Sequence, residues 1–233
     1  PFNSQFISIG NNMLPQVTLL KFNQKTSELY VGDYLDLYAL KSTGKLSNSW
    51  KLNSPAVHID FKENTAPMLL TIGSVAPSDK KSGTLSYLKS TENSLSSNTI
   101  LSHLYRPLHF TTGDLNMDNK TDLLVSNFGN YGGKLSWFDN FDPSKEHILR
   151  NLPGATKAEI KDFNNDNKPD IIALMAQADE QIAIYYNKDN GEFEEKPILQ
   201  FPPVHGANYF ELADFNNDGF DDLLVTNGDN RDT

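Results

Sequence analysis

The stretch "ADFNNDGFDD", residues 213–222, puts Asp214, Asn216, Asp218 and Asp222 at positions 1, 3, 5 and 9 of one short loop. Oxygen-bearing side chains at alternate positions suit a chain that bends around a hard cation. The same residue types also dominate plain turns, so one such loop is open to either reading. Two further copies tip the balance towards the cation. "GDLNMDNKTDLLVS" from Gly113 and "KDFNNDNKPDIIAL" from Lys161 repeat the D-x-N-x-D-x-x-x-D spacing, and each leads into an apolar run. The copies recur about every fifty residues, the spacing of a structural repeat.

Two weaker copies lie upstream. In "IDFKENTAPMLLTIG" Asp60 aligns with position 1, and in "LKFNQKTSELYVG" Lys21 does. Both keep an aromatic at position 2 (Phe61, Phe22) and the apolar run, but lose the carboxylates. The apolar frame therefore persists without the acids. The repeat is a folding unit, and the acidic set is added to three of its copies.

Each unit reads as four short strands. From Thr156 the chain gives "TKAEIKDF", "PDIIALMA", "EQIAIYYNK" and "EKPILQFPP", with the turn signal "DNGEF" before the last. The preceding unit gives "RPLHFTTGD", "DLLVSNFG", "GKLSWFDN" and "EHILRNL". No segment carries a long apolar face at helical period. Four-stranded units at this period predict an all-β fold, a β-propeller of antiparallel four-stranded blades. The expected single domain spans residues 1–233, with blades near 16–54, 55–105, 106–155 and 156–205 and a partial one over 206–233. Phe61, Phe163 and Phe215 are expected to pack between blades.

The acidic loops are not EF-hands. Position 12 holds Val125, Ala173 and Val225 instead of Glu, and the flanks are strand-like. A loop between two strands, closed by the Asp at position 9, is expected instead. The donors are Asp114, Asn116, Asp118, the Lys120 carbonyl and Asp122 in the first loop. In the second they are Asp162, Asn164, Asp166, the Lys168 carbonyl and Asp170, and in the third Asp214, Asn216, Asp218, the Phe220 carbonyl and Asp222. Ca²⁺ accepts six to eight oxygens in flexible geometry, and Mg²⁺ suits such a loop less well. Three calcium sites are expected, and none in the two upstream copies. Asn119, Asn167 and Gly219 at position 6 tolerate the left-handed backbone that such a turn needs.

These loops, with "DLLVSNFG" and its Phe128-Gly129 after the first, resemble the FG-GAP/VCBS repeats of calcium-binding β-propellers, of which the integrin α-subunit head is one. The resemblance implies the same three ligand sets. It also implies a ring of about seven blades, which needs about 350 residues at this spacing. The chain is therefore expected to be part of a longer ring, with a strand from residues 1–15 completing the last blade.

Composition narrows the function. The chain of 233 residues has a formal charge of −10, which suits cation binding and disfavours a nucleic-acid partner. Without cysteine it has no disulfide, zinc-thiolate site or thiol nucleophile. No apolar run is long enough to suggest a membrane span. Opening at Pro1 with no apolar leader, it is expected to be a trimmed, exported product: secreted, periplasmic or on the cell surface. A non-enzymatic binding or adhesion scaffold for a protein or carbohydrate ligand is expected, with remaining blades or a larger surface complex as further partners. The alternative is a propeller-based polysaccharide lyase or hydrolase acting on channel-facing loops. No nucleophile elbow, zincin motif or P-loop is present. His58, His109 and His205 sit at or just before first strands and could converge. Adjacent Glu194 and Glu195 should point to opposite faces. Arg106 and Tyr209 lie in the most distinctive non-repeat segments. Trp50 and Trp137 are expected in the core rather than on a sugar face.

Overall fold

The computed structural model describes residues 16–62, 65–90, 95–177, 179–202 and 205–228. The closing strand expected within 1–15 and the last residues of the "NGDNRDT" tail lie outside them. The described residues form eighteen strands and one short 3-10 turn at Asp139–Phe141. The first sheet holds β1(Val17–Asn23), β2(Glu28–Asp33), β3(Asp36–Lys41) and β4(Leu46–Lys51). The second holds β5(Ala56–Asp60), β6(Met68–Thr71), β7(Gly83–Ser90) and β8(Leu95–Leu104). The third holds β9(Pro107–Gly113), β10(Asp122–Asn127), β11(Lys134–Phe138) and β12(Glu146–Arg150). The fourth holds β13(Ala155–Lys161), β14(Asp170–Met175), β15(Gln181–Asn187) and β16(Phe193–Gln200). β17(Ala207–Ala213) and β18(Asp222–Asn227) pair in a fifth.

Every pairing is antiparallel between strands consecutive in sequence, so each sheet is a simple meander. Short turns close it. Between β15 and β16 the chain turns through Asp189, Asn190 and Gly191, all with positive φ. Gly191 packs against an indole of the third sheet; a Cβ there would lie 2.6 Å from Trp137 Cζ2. The Phe-Gly pair also has a steric reason. Gly129 has φ +70°, and a Cβ would lie 1.6 Å from the Gly132 carbonyl oxygen.

The apolar faces of neighbouring sheets meet at seams between them. Met68, Leu70 and Leu85 of the second sheet close on Phe110, Leu123 and Phe138 of the third. Leu124 and Trp137 of the third close on Ile171, Ala173 and Tyr185 of the fourth. Ile172, Leu174 and Ile182 meet Ala207 and Phe210 of the fifth. Burying one such large side chain contributes about 1.5–3 kcal/mol, so the seams, not the isolated sheets, hold the molecule together. Phe61 and Phe163 pack at these seams as expected. Phe215 does not: it is 54% exposed, because no described sheet covers its side of β17 and β18.

The first strands lie beside one another, β1 against β5, β5 against β9, β9 against β13 and β13 against β17. Each carries a register shift near its start. A bulge adds one residue and re-aims its neighbours. The bulged Val57, Leu108, Thr156 and Asn208 accordingly line a shared central pocket.

Candidate metal centre and central pocket

The three acidic loops fold alike. Position 4 (Met117, Asn165, Asn217) and position 6 (Asn119, Asn167, Gly219) are left-handed in every copy. The position-1 carboxylate organises the curl. Asp114 Oδ1 accepts the Asp118 N–H at 3.0 Å, and Oδ2 accepts the Asn119 N–H at 2.8 Å. Asp162 does the same for Asp166 and Asn167, and Asp214 for Asp218 and Gly219. Position 3 adds an Asx turn: Asn116, Asn164 and Asn216 Oδ1 accept the N–H of Asp118, Asp166 and Asp218. Position 5 accepts the N–H of Lys120, Lys168 and Phe220. Desolvation pushes the Asp162 carboxyl up, but the N–H groups of Asn167 and Asn164 outweigh it and hold it below its ordinary value.

Position 9 behaves differently. Asp122 and Asp170 are fully buried. Asp122 Oδ2 accepts the Leu115 N–H at 2.8 Å and Oδ1 the Asn140 N–H at 2.9 Å. Asp170 likewise accepts from Phe163 and Asn187. The position-9 carboxylate thus ties the loop to the chain just beyond or at the end of the third strand. Burial raises the Asp122 carboxyl above its ordinary value, against those N–H bonds. In the fifth sheet Asp222 keeps the bond to position 2, from Phe215 at 3.0 Å, and is only half-buried.

By donor type the residues fit a hard divalent cation: every donor is an oxygen. A carboxylate oxygen that accepts one N–H retains a second lone pair. The Lys120 ammonium already sits 3.2 Å from Asp118 Oδ2, a cation beside that carboxylate. Among the described residues, no three His, Asp or Glu side chains are gathered as a ready metal cluster, so positions 1, 5 and 9 stay apart in each loop.

The upstream loops differ in length. Asn23 pairs Glu28 across four residues and Asp60 pairs Met68 across seven. Gly113, Lys161 and Ala213 pair the three position-9 aspartates across eight. Lys21 and Asp60, aligned in sequence with position 1, therefore lie inside strands.

The central pocket, about 330 Å³, brings together Lys21, His58, His109, Lys157, Glu159 and Glu211 from five first strands. The His58 and His109 rings meet edge-on at 4.3 Å. Burial, with Lys21 and Lys157 nearby, pushes His58 down to about 3. Burial, then His58 and the two lysines, puts His109 well below its ordinary value despite a bond to the Ala158 backbone. His109 Nδ1 is buried without a partner. Lys157 Nζ bonds Glu159 at 2.7 Å, the Phe210 carbonyl at 2.8 Å, and Glu211 and the Tyr209 hydroxyl at 3.1 Å. Both glutamates are thereby ion-pair partners of one lysine. His205 lies before β17 and does not line the pocket.

Other residues noted in the sequence are structural. Arg106 donates to the carbonyls of Gly129, Ser74 and Val75, clamping the second sheet to the third. Trp137 is buried and stacks on His147 at 4.0 Å, and Trp50 is buried in the first seam. Glu194 pairs with Lys188, while Glu195 pairs with Arg150.

Residues 114–173 and 162–225 match the model of the FG-GAP-like repeat. No curated protein matches the chain. Among solved structures it is similar to the Dos1 propeller, with TM-score 0.53 and 10% identity over 84% of this chain and 49% of that one. The Neurospora crassa Pan2 WD40 domain gives TM-score 0.47 and 12% identity over 91% of this chain and 63% of that one. The chain spans about half the length of the Dos1 propeller, and at such identity the likeness shows the fold alone.

Proposed function

We propose that this chain, a β-propeller carrying FG-GAP-like repeats over residues 114–225, is a calcium-stapled interaction scaffold that works outside the cytoplasm and catalyses no reaction. The propeller fold suggests protein interaction: rigid sheets present loops around a shared axis. The observation that carries the calcium reading is the threefold recurrence of one loop geometry, with left-handed residues at positions 4 and 6 and the position-1 Asp bonding the N–H groups of 5 and 6.

Asp114, Asn116, Asp118, the Lys120 carbonyl and Asp122 would hold the ion of the first loop, and their counterparts from Asp162 and Asp214 the others. Bound calcium would draw the carboxylates of each loop together, neutralise them and add its binding free energy to folding. The chain supplies preorganisation. The N–H bonds at positions 5 and 6 fix Asp114, Asp162 and Asp214 in place without a metal. Extracellular calcium modules bind with a Kd of about 10⁻⁴–10⁻³ M, a range filled outside cells and not in cytosol. Among the described residues no helix is long and apolar enough to cross a membrane.

A thermal melt in calcium, in excess chelator and in magnesium tests this. At 100 times Kd one site stabilises by about 2.7 kcal/mol. Calcium should raise Tm by several degrees, chelator should reverse it, and magnesium should not replace it. An unchanged melt would remove the calcium and with it the argument for an exported scaffold.

A further inference from the structure

The seam between the first and second sheets differs from the others. Leu37, Ala56, Ile59, Leu69 and Leu88 close part of it. Beside them lies a cavity of about 410 Å³, within the usual range of small-molecule pockets. Strand register explains it. In the third sheet Leu123 stands opposite Phe138, and in the fourth Ile171 stands opposite Tyr185. Both aromatics are buried and fill the seam to the preceding sheet. In the second sheet the bulge at Val57 aligns Leu69 with Val125, so Ser86 matches the buried Ser136. The ring position falls to Leu88, whose N–H bonds the Pro67 carbonyl at 2.8 Å. A leucine, which lines the cavity, stands where its counterparts place a ring.

The space is lined with hydroxyls. Thr71 and Thr84 Oγ1 lie 2.9 Å apart, and Ser86 Oγ bonds Thr99 Oγ1 at 3.4 Å. Ser54 Oγ accepts the Gly73 N–H at 2.7 Å. Each hydroxyl has one donor and two acceptor sites, so these pairs leave capacity in both senses. Leu52 and Leu95 add apolar wall. The one charged side chain at the pocket, Lys51, is paired with Asp36 at 2.7 Å. An anion would find no unpaired cation here. A wholly apolar ligand would leave the spare donor and acceptor capacity of these hydroxyls unused.

We infer that this pocket binds a neutral saccharide of one or two rings, whose hydroxyls meet the Ser and Thr side chains and whose C–H faces meet the leucines. The site goes beyond the scaffold reading and uses none of the acidic loops. Calorimetric titrations of the full chain with cellobiose, maltose, lactose and N,N′-diacetylchitobiose, against digalacturonic acid, test it. Running each in calcium and in chelator separates failure of this pocket from failure of the calcium reading. At least one neutral disaccharide should bind saturably at 1:1, with digalacturonic acid at least tenfold weaker. Leu88→Phe, which restores the ring of the other sheets, should weaken binding at least tenfold and hold or raise Tm. Should that variant misfold, Thr84→Val keeps the shape, removes a hydroxyl and should weaken binding at least threefold. Absence of binding by all four neutral sugars would overturn the inference. So would preference for the acidic sugar, or unchanged affinity in a folded variant.

Discussion

At the scale of the residue, the Asp at position 9 shows how one side chain serves the fold before any ion is considered. Asp122 and Asp170 each receive two backbone N–H groups in a dry environment. Removing such an acceptor strands donors at about 1–3 kcal/mol apiece. In chelator, where no metal contributes, Asp122→Ala and Asp170→Ala should each cost about 2–4 kcal/mol in urea unfolding. Asp222→Ala, in a half-buried setting with one backbone partner, should cost under about 1 kcal/mol. Equal losses at all three positions would show that burial does not set the role of this carboxylate. Met117 is the complementary case. Its counterparts Asn165 and Asn217 tolerate a left-handed backbone, and it adopts the same conformation without their help.

At the scale of the element, the first strands pack on one another through titratable groups. His58 on β5 and His109 on β9 face Lys21 from β1, Lys157 and Glu159 from β13, and Glu211 from β17. Both histidines are held neutral in the fold, and His58 resists protonation down to about 3. The unfolded chain takes up protons near 6.5. Below that value the unfolded state binds more protons, so stability is full above about pH 6.5 and falls as pH drops towards 3. The slope is at most about 1.4 kcal/mol per histidine per pH unit. Melts between pH 7 and 5 should show Tm falling, and His58→Asn should flatten the fall; a flat wild-type profile would contradict it. The sequence disclosed that His58 and His109 begin equivalent strands, but not that they touch, because the bulges that turn them inward arise from register. The same limit hid the role of position 9. The spacing of Asp122 marks it as a loop oxygen, whereas its partner Asn140 is brought close only by pairing of β10 with β11. What local pattern fixes was legible: strands, turns, the repeat and the left-handed residue at position 6. What depends on which sheet lies alongside was not, and Phe215 is the plainest instance.

At the scale of the whole molecule, stability should be graded along the chain, because each sheet is buried only by its neighbours. One position of the repeat measures this. Leu124 is 1% exposed and Ile172 2%, each covered by the next sheet, while the equivalent Leu224 is 54% exposed. β10 and β14 are buried at every residue, whereas β18 has no buried residue. The fifth sheet is held to the fourth by Phe210 and Ala207 in an apolar seam and by Lys157 bridging to Glu211 and the Phe210 carbonyl. Local opening free energies follow such burial. Amides of β14 should therefore exchange with solvent only on global unfolding, and those of β18 at least a hundredfold faster, a difference of about 2.7 kcal/mol. Lys157→Met would leave Glu211 without its cation and should speed exchange in β17 and β18 while leaving β10 unchanged. Uniform exchange across all five sheets would mean that the seams transmit stability along the whole chain, and that the exposed face of β18 costs the fold nothing.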